Sequence, residues 1–268
     1  MLFSVVTPSF NCKDFILANV ESVRRQGLPL EQLEHWIIDG GSTDGTVDLL
    51  KQIDGIKWVS EPDRGLSDAV NKGIQRSKGD WIIWLGADDL LAENACKTFL
   101  EYVARYPEIR IFAGDLIFLR ADGSKEQRVE GWDYHLKDLL GSRTGINQPS
   151  TWVHREVYDK VGLLDVSNRY SMDYEWMVRA MHRYQCIHIP HVLSYSRRRP
   201  GSISDAHMVR QVKDFLAIRR RYKQPYLSPA ELRIRLYIYS DFLRKIPWVR
   251  RGIRILKRLA GKEPLHPV

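Results

Sequence analysis

The sequence predicts an α/β fold, with a mostly parallel sheet flanked by helices and a basic helical extension at the C-terminus. Two observations lead to this prediction. Strand-like and helix-like segments alternate over residues 3–86, and basic residues are concentrated beyond residue 209. The alternation favours a parallel sheet because each connection between strands is long enough to contain a helix.

Four short apolar runs predict buried strands in the first third of the chain. They read FSVVTPS, HWIIDGG, IKWVSEPD and DWIIWLG. The segments between them, residues 14–26, STDGTVDLLKQI and LSDAVNKGIQRSKG, have helical character. Ser42 or Thr43 is expected to cap the second helix, and Gly79 is expected to close the third.

The pattern changes beyond residue 92. RIFAGDLIFLR predicts a strand that turns at residues 121–123 and pairs with KEQRVEG, and residues 131–151 are rich in loop-forming residues. Two helices and a last strand, CIHIPHVLSYS, follow. We therefore expect one domain over residues 1–208, with halves at 1–92 and 93–208, and a basic amphipathic tail over 209–268.

The charge of the chain is unevenly distributed. Residues 210–268 carry 16 basic and 4 acidic residues, a net charge of +12, whereas the rest of the chain carries −4. Such asymmetry favours a polyanionic partner, either nucleic acid or an anionic membrane. Within 229–262, apolar residues recur at helical spacing, so we expect this segment partly to pack on the domain and partly to contact a membrane interface.

Polar residues follow each of the four predicted strands. The clusters are Pro8–Asn11, Asp39–Ser42, Glu61–Arg64 and Asp88–Asp89. Ligands bind beyond the carboxyl ends of the strands in sheets of this kind. A single acidic pair is explained better by a helix cap or a solvated loop than by a ligand site, but four polar clusters at one edge predict a ligand site.

Five motifs together resemble those of the family 2 glycosyltransferases, which have the GT-A fold. They are VVTPSFN, IIDGGSTDGT, DRGLSDAVNKGI, GDWIIWLGADD and MDYEW, in this order. The resemblance covers about residues 3–200 and is greatest to bacterial enzymes of exopolysaccharide or O-antigen synthesis. It implies an enzyme that takes a sugar from a nucleotide-sugar donor.

The resemblance also implies donor-binding residues. Pro8, Phe10 and Asn11 match the segment that holds the base with Asp39, so Phe10 would stack on the base and Asp39 would accept a ring N–H. The alternatives are a core aromatic for Phe10 and a turn-forming residue for Asp39. Two further candidates lie one helical turn apart, where a surface ion pair is the alternative: Asp68 and Lys72.

Asp88 and Asp89 match the metal motif of the family, which implies Mn²⁺ or Mg²⁺ because these cations prefer oxygen ligands. A divalent cation would neutralise the diphosphate leaving group. The first position of the motif is occupied by Gly86, so one polar contact of the usual pattern is missing. Asp88 is the primary predicted ligand, and Asp89 either joins it or caps the next helix.

Asp173 matches the catalytic base of the family, which takes the proton of the acceptor hydroxyl. Its alternative is an ordinary helix N-cap, and Glu175 is the second candidate for the base. Asn147 and Gln148 match a polar segment on the acceptor side.

The resemblance therefore implies an inverting, metal-dependent glycosyltransferase that moves a sugar, from a UDP-sugar, to a lipid-linked glycan in bacterial surface polysaccharide synthesis. We expect it in the cytoplasm, with the tail on the anionic inner face of the membrane and no nucleic-acid partner. One rival is a sugar nucleotidyltransferase, whose glycine-rich, lysine-containing loop is not matched by TPSFNCKD. The other is a nucleic-acid-binding protein that uses the tail.

Overall fold

The computed structural model describes residues 1–141, 145–198 and 208–224, together with Leu232. The chain divides into two units, Met1–His207 and Met208–Val268. Among the residues that the structure describes, no helix is both long enough and apolar enough to cross a membrane.

The first unit contains all the strands of the described residues. They are β1 (Phe3–Ser9), β2 (Leu33–Asp39), β3 (Lys57–Ser60), β4 (Trp81–Trp84), β5 (Leu90–Leu91), β6 (Ile111–Leu119), β7 (Lys125–Val129), β8 (Thr151–His154) and β9 (Cys186–Arg197). Its helices are α1 (Lys13–Arg24), α2 (Thr46–Leu50), α3 (Leu66–Arg76), α4 (Ala95–Arg105), α5 (Leu136–Leu139), α6 (Arg155–Val161) and α7 (Met172–Ala180). In the second unit, α8 (Met208–Arg221) is described.

These strands form one mixed sheet in the order β3-β2-β1-β4-β8-β6-β9-β5, and β7 pairs with β6. The four strands β3, β2, β1 and β4 are parallel neighbours. β8 is antiparallel to both β4 and β6, and β9 is parallel to β6. The predicted α/β fold with a mostly parallel sheet is confirmed.

Close packing holds the helices on both sides of the sheet. On one side α3 lies against β1, because a Cβ at Gly73 would lie 2.2 Å from Val6 Cγ1. On the other side an aromatic cluster fills the core, where the ring of Phe99 on α4 packs edge-on against Trp81, 4.8 Å between centroids. Edge-on aromatic contacts of this kind add to the free energy gained by burial alone.

Two predictions of helix ends were wrong. The helix predicted after β2 begins at Thr46, where Asp44 accepts the Thr46 backbone N–H at 2.9 Å, so neither Ser42 nor Thr43 is the cap. α3 ends at Arg76, and Gly79 instead permits close approach to β1.

The loop-rich interpretation of residues 131–151 missed α5 and a 3₁₀ turn at Gln148–Ser150, which leads into β8. The hairpin of β6 and β7 is confirmed. The amphipathic segment predicted over 229–262 lies outside the described residues, apart from Leu232.

Candidate active site

The carboxyl ends of the four parallel strands meet at one edge of the sheet. Ser9, Asp39 and Ser60 end β1, β2 and β3, and they are direct cross-strand neighbours. β4 ends beside β1, where Trp84 is paired with Val6. The four polar clusters predicted from the sequence therefore share this edge.

Asn11 locks the loop after β1 to the loop after β2. It adopts a left-handed conformation with φ of 51°. Its backbone N–H donates to Ser42 Oγ at 2.8 Å, and its Oδ1 accepts the Thr43 N–H at 2.9 Å. This exchange fixes the two loops relative to each other, while the predicted contact of Asn11 with substrate stays a prediction.

Asp39 is fully buried beneath these loops. Its Oδ2 accepts hydrogen bonds from the Gly41 N–H at 3.1 Å, the Ser42 N–H at 2.9 Å and Ser60 Oγ at 2.7 Å. The carboxylate is thus used to hold the ends of β2 and β3. Its contact with a nucleotide base stays a prediction.

Phe10 is 61% exposed, so it is not a core aromatic. Pro8 is buried within β1 and fixes the strand end from which Phe10 projects. Beside Phe10, the Asp63 Oδ2 atom faces Gly40, where a Cβ would lie 2.5 Å from Oδ2 and 3.5 Å from the Phe10 ring. Asp63 is held by the Gly65 N–H, which donates to Oδ1 at 2.7 Å. An exposed ring and a carboxylate oxygen therefore lie together over Gly40.

Asp68 and Lys72 belong to a network at the start of α3. Asp68 accepts hydrogen bonds from the Arg64 N–H at 3.1 Å and the Arg64 guanidinium at 2.9 Å. Lys72 Nζ lies 3.2 Å from a Glu61 oxygen and 3.7 Å from Asp68 Oδ2. The guanidinium of Arg64, hydrogen-bonded to Asp68, lowers the pKa of Asp68. The pair organises the loop after β3, and its contact with donor stays a prediction.

Asp88 and Asp89 both turn toward Gly86. A Cβ at position 86 would lie 2.8 Å from Asp89 Oδ2 and 3.3 Å from Asp88 Oδ1. Glycine at this position therefore leaves room for the two carboxylates to approach each other. Asn19 on α1 holds the loop, since its side-chain amide donates to the carbonyls of Gly86 and Asp89, both at 2.9 Å.

Asp89 is buried, and burial together with the neighbouring Asp88 charge raises its pKa to about 7. Its Oδ1 accepts the backbone N–H of Arg197, at the end of β9. The next helix, α4, starts at Ala95 with Asn94 as its cap, so the alternative of Asp89 as a helix cap was wrong.

Two convergent carboxylates fit a divalent cation that keeps waters and takes further oxygens from a substrate phosphate. Within the described part of the chain, no cluster of three or more His, Cys, Asp or Glu side chains is placed to hold a metal. The donor set that the chain itself offers is therefore the hard oxygens of Asp88 and Asp89.

The acceptor-side candidates lie next to the end of β4. Gln148 Nε2 donates to the carbonyl of Trp84 at 2.7 Å. Asn147 is buried, and its amide donates to the carbonyls of Gly114 and Val129, both at 3.2 Å. Its backbone N–H donates to the hydroxyl of Tyr134 at 2.9 Å. Gln148 is partly exposed beside the site, whereas Asn147 shapes the loop.

Asp173 lies in the first turn of α7, where Ser171 occupies the N-cap position. The ordinary N-cap interpretation of Asp173 was therefore wrong. Asp173 Oδ1 accepts the Tyr174 N–H at 2.8 Å, and burial raises the pKa of Asp173. Glu175 instead forms an ion pair with Arg179, at 2.9 Å, so its carboxylate is already neutralised.

Sequence reasoning placed Asp63 at this edge within the Glu61–Arg64 cluster but gave it no role of its own, and it missed Asn19 and Arg197. Asn19 gave a signal, because it is a polar residue between Ile16 and Val20 on the buried face of α1. The position of Asp63 beside Phe10 and the position of Arg197 gave none, because both depend on segments that are distant in the chain.

The model of the family described as Glycosyl transferase family 2 matches residues 4–162. The chain belongs to glycosyl transferase family 2. The resemblance noted from the sequence motifs is thereby confirmed, and the family 2 chain has the GT-A fold.

Curated relatives are glycosyltransferases of bacterial glycan synthesis. A PGL/p-HBAD biosynthesis glycosyltransferase of Mycobacterium bovis is 26% identical over 184 residues, which cover 66% of this chain and 69% of the relative. A Bacillus subtilis protein named as a teichuronic acid biosynthesis glycosyltransferase is 36% identical over 110 residues, 38% of this chain and 42% of the relative.

Solved structures share the fold. TarS 1–349 of S. aureus in complex with UDP-GlcNAc superposes with a TM-score of 0.66 at 15% identity, covering 81% of this chain and 64% of that chain. The mannosyltransferase PcManGT of Pyrobaculum calidifontis, in complex with GDP-Man and Mn²⁺, gives 0.63 at 17% identity, covering 98% and 76%. This chain thus spans about two thirds of the S. aureus chain.

Proposed function

We propose that this family 2 enzyme is an inverting, metal-dependent glycosyltransferase of bacterial surface polysaccharide synthesis, which moves a sugar from a UDP-sugar to a lipid-linked glycan. The observation that carries the proposal is the convergence of Asp88 and Asp89 over Gly86, at the edge where Phe10 and Asp63 also lie. One end of this edge offers an aromatic face, and the other offers paired carboxylates.

The base of the donor stacks on Phe10, and Asp63 Oδ2 accepts its N–H in place of Asp39, whose Oδ2 already accepts hydrogen bonds from its own loop and from Ser60. A uracil ring offers one such N–H, and a carboxylate is a strong acceptor for it. The complex of the S. aureus neighbour with UDP-GlcNAc supports a UDP-sugar, although that neighbour shares only the fold. Asp39 and Asn11 keep the loops around the base in place through the hydrogen bonds described above.

Asp88 and Asp89 would hold the divalent cation, Mn²⁺ or Mg²⁺, next to the donor diphosphate. When bound, the cation neutralises the negative charge that develops on the leaving diphosphate. Burial, and then the charge of Asp88, raise the pKa of Asp89 to about 7, and a cation beside both carboxylates would relieve the repulsion between them.

Asp173 is the base that takes the proton of the acceptor hydroxyl as this oxygen attacks the anomeric carbon. One carboxylate on the acceptor side is what an inverting transfer needs. Its raised pKa supports the role, since a general base works best when its pKa is near the working pH. Gln148 orients the acceptor beside the end of β4.

Residues 1–92 hold the donor, residues 93–208 hold the acceptor, and the basic tail over 209–268 contacts anionic lipid at the inner face of the membrane. Each basic residue near such a surface contributes roughly 1 kcal/mol of attraction. The curated relatives act in glycan synthesis, which supports this acceptor class. Neither the nucleic-acid-binding alternative nor the nucleotidyltransferase is favoured, because the family match covers the catalytic edge.

The test is a panel of UDP-, GDP-, dTDP- and CMP-sugars, each incubated with the purified chain and Mn²⁺. We expect a UDP-sugar to raise the melting temperature of the chain. We also expect the chain to hydrolyse this UDP-sugar slowly, so that free sugar and UDP are formed. If no sugar nucleotide of the panel stabilises the chain and none is hydrolysed, the proposal is overturned. A preference for a GDP-sugar would overturn the assignment of uracil as the nucleotide base.

A further inference from the structure

We propose that Trp132 is a platform on which a pyranose ring of the acceptor stacks, and that it sets the choice among acceptors. The inference rests on the proposed function, because it places the platform on the proposed acceptor side, where Tyr134 joins Trp132 to the loop of Asn147. Trp132 is partly exposed, unlike Trp81 and Trp152, which are buried in the core.

Gly131, the residue before Trp132, fixes the position of the backbone at Trp132. The Gly131 N–H donates to Asp115 Oδ1 at 2.8 Å. A Cβ at Gly131 would lie 2.7 Å from the Gly114 carbonyl oxygen and 2.7 Å from His188 Cδ2. Only glycine fits this close approach, so residue 131 is pressed directly onto β6 and β9.

Asp115 is itself immobilised by two further side chains. Its Oδ1 lies 2.7 Å from His188 Nε2, and its Oδ2 accepts Arg128 Nε at 2.9 Å. The His188 backbone N–H donates to Asp133 Oδ1 at 2.6 Å. The residues on both sides of Trp132 are therefore tied to the sheet.

The indole ring is oriented as well as anchored. Its Nε1–H donates to the Gly145 carbonyl at 3.2 Å, and its ring contacts Tyr134 edge-on with 4.8 Å between centroids. A surface tryptophan that only covers apolar area does not need this many constraints. A ring held in one orientation loses little conformational entropy when a ligand stacks on it.

Tyr134 connects this ring to the acceptor side. Its hydroxyl accepts the Asn147 N–H at 2.9 Å and lies 3.2 Å from Thr151 Oγ1. Trp132 is thus one aromatic ring away from the loop that carries Asn147 and Gln148, the predicted acceptor-side residues.

The chemistry favours a sugar on this ring. The face of an indole carries negative partial charge, and the axial C–H bonds of a pyranose offer positive partial charge and apolar area. The indole N–H already donates to the Gly145 carbonyl, so the ring contributes stacking. Other groups would form the hydrogen bonds to the sugar hydroxyls. The ring would act on the acceptor and not on the donor.

The test compares Trp132→Ala and Trp132→Phe with the unaltered chain, using the active UDP-sugar, Mn²⁺ and a panel of n-octyl pyranosides as probe acceptors. Hydrolysis of the donor by water is measured in parallel. We expect the KM for the accepted pyranoside to rise about tenfold in Trp132→Ala, less in Trp132→Phe, with hydrolysis unchanged.

Equal losses of transfer and hydrolysis in Trp132→Ala would show a structural role and overturn the inference. An unchanged acceptor KM, or transfer by the unaltered chain to none of the pyranosides while hydrolysis proceeds, would overturn it as well. Absence of hydrolysis in the unaltered chain is a different result, because it counts against the proposed function.

Discussion

The carboxylate of Asp89 accepts a hydrogen bond from the backbone N–H of Arg197 at 3.1 Å, across 108 residues of chain. This bond ties the loop between β4 and β5, in the donor half, to the end of β9, in the acceptor half. The Arg197 guanidinium in turn donates to the carbonyls of Arg120 and Ala121, at the tip of the hairpin of β6 and β7. The paired carboxylates are therefore supported by both halves of the domain.

Asp173→Asn is expected to lower sugar transfer by roughly 10²–10⁴-fold while leaving donor binding intact, because the substitution removes basicity and keeps shape. The loss should appear in kcat more than in the donor KM. Transfer of a radiolabelled sugar to lipids extracted from the producing organism measures it. Asp159→Asn, at an exposed position on α6, is the control. Near-normal transfer by Asp173→Asn would show that another residue is the catalytic base.

Asp63→Asn is expected to weaken UDP binding, whereas Asp39→Asn is expected to lower stability. Asp63 faces the space beside Phe10, so its substitution should weaken UDP binding about tenfold or more without lowering the melting temperature. Asp39 accepts hydrogen bonds from its own loop and from Ser60, so the main effect of its substitution should be a lower melting temperature. Calorimetric titration of UDP measures the affinity of both variants, and thermal unfolding measures their stability. A stable Asp39→Asn that has lost UDP would restore Asp39 as the base-binding carboxylate.

His35 is expected to make stability depend on pH. Burial, and then the charge of Arg24, lower the pKa of His35 from 6.5 to about 3. As the pH falls below about 6.5, His35 becomes protonated in the unfolded chain but stays neutral in the folded chain. The free energy of unfolding therefore decreases progressively down to about pH 3. Between about pH 7.5 and about pH 5 the loss attributable to His35 is about 2 kcal/mol.

Urea unfolding of the unaltered chain and of His35→Gln at both pH values isolates this effect. Glutamine can keep a hydrogen bond to Thr7, which lies 2.8 Å from His35 Nε2, and does not titrate. The raised pKa of Asp89 acts in the opposite direction in both proteins and cancels in the comparison. Equal pH dependence of the two proteins would contradict the account of His35.

Removal of residues 229–268 is expected to abolish binding to anionic vesicles while leaving UDP binding unchanged. The reason is the charge of the removed segment, which carries 10 basic and 3 acidic residues and so contributes +7 of the +12 beyond residue 209, against −4 for the rest. Co-sedimentation with phosphatidylglycerol vesicles, with phosphatidylcholine vesicles as the control, measures it at low and high salt. Tighter binding of the full chain to duplex DNA than to these vesicles would favour the nucleic-acid alternative.

The sequence was sufficient to predict β1 to β4 and the edge at which they end, because four buried apolar runs each precede a polar cluster. It was not sufficient to predict β8, since Thr151–His154 is four residues long and is a strand only because it pairs with β4 and β6. The different surroundings of Asp39 and Asp63 were equally hidden. They depend on the distance between loops that are adjacent only in the folded sheet.

The measurement closest to the central claim is calorimetric titration of UDP into the unaltered chain, Asp88→Asn and Asp48→Asn, with Mn²⁺ and again with EDTA. Asp48 is an exposed carboxylate on α2 and serves as the matched control. We predict that Mn²⁺ strengthens UDP binding by at least about tenfold in the unaltered chain and in Asp48→Asn, and that Asp88→Asn loses this gain. Equal UDP affinity in Asp88→Asn, with the same dependence on Mn²⁺, would contradict the assignment of the site.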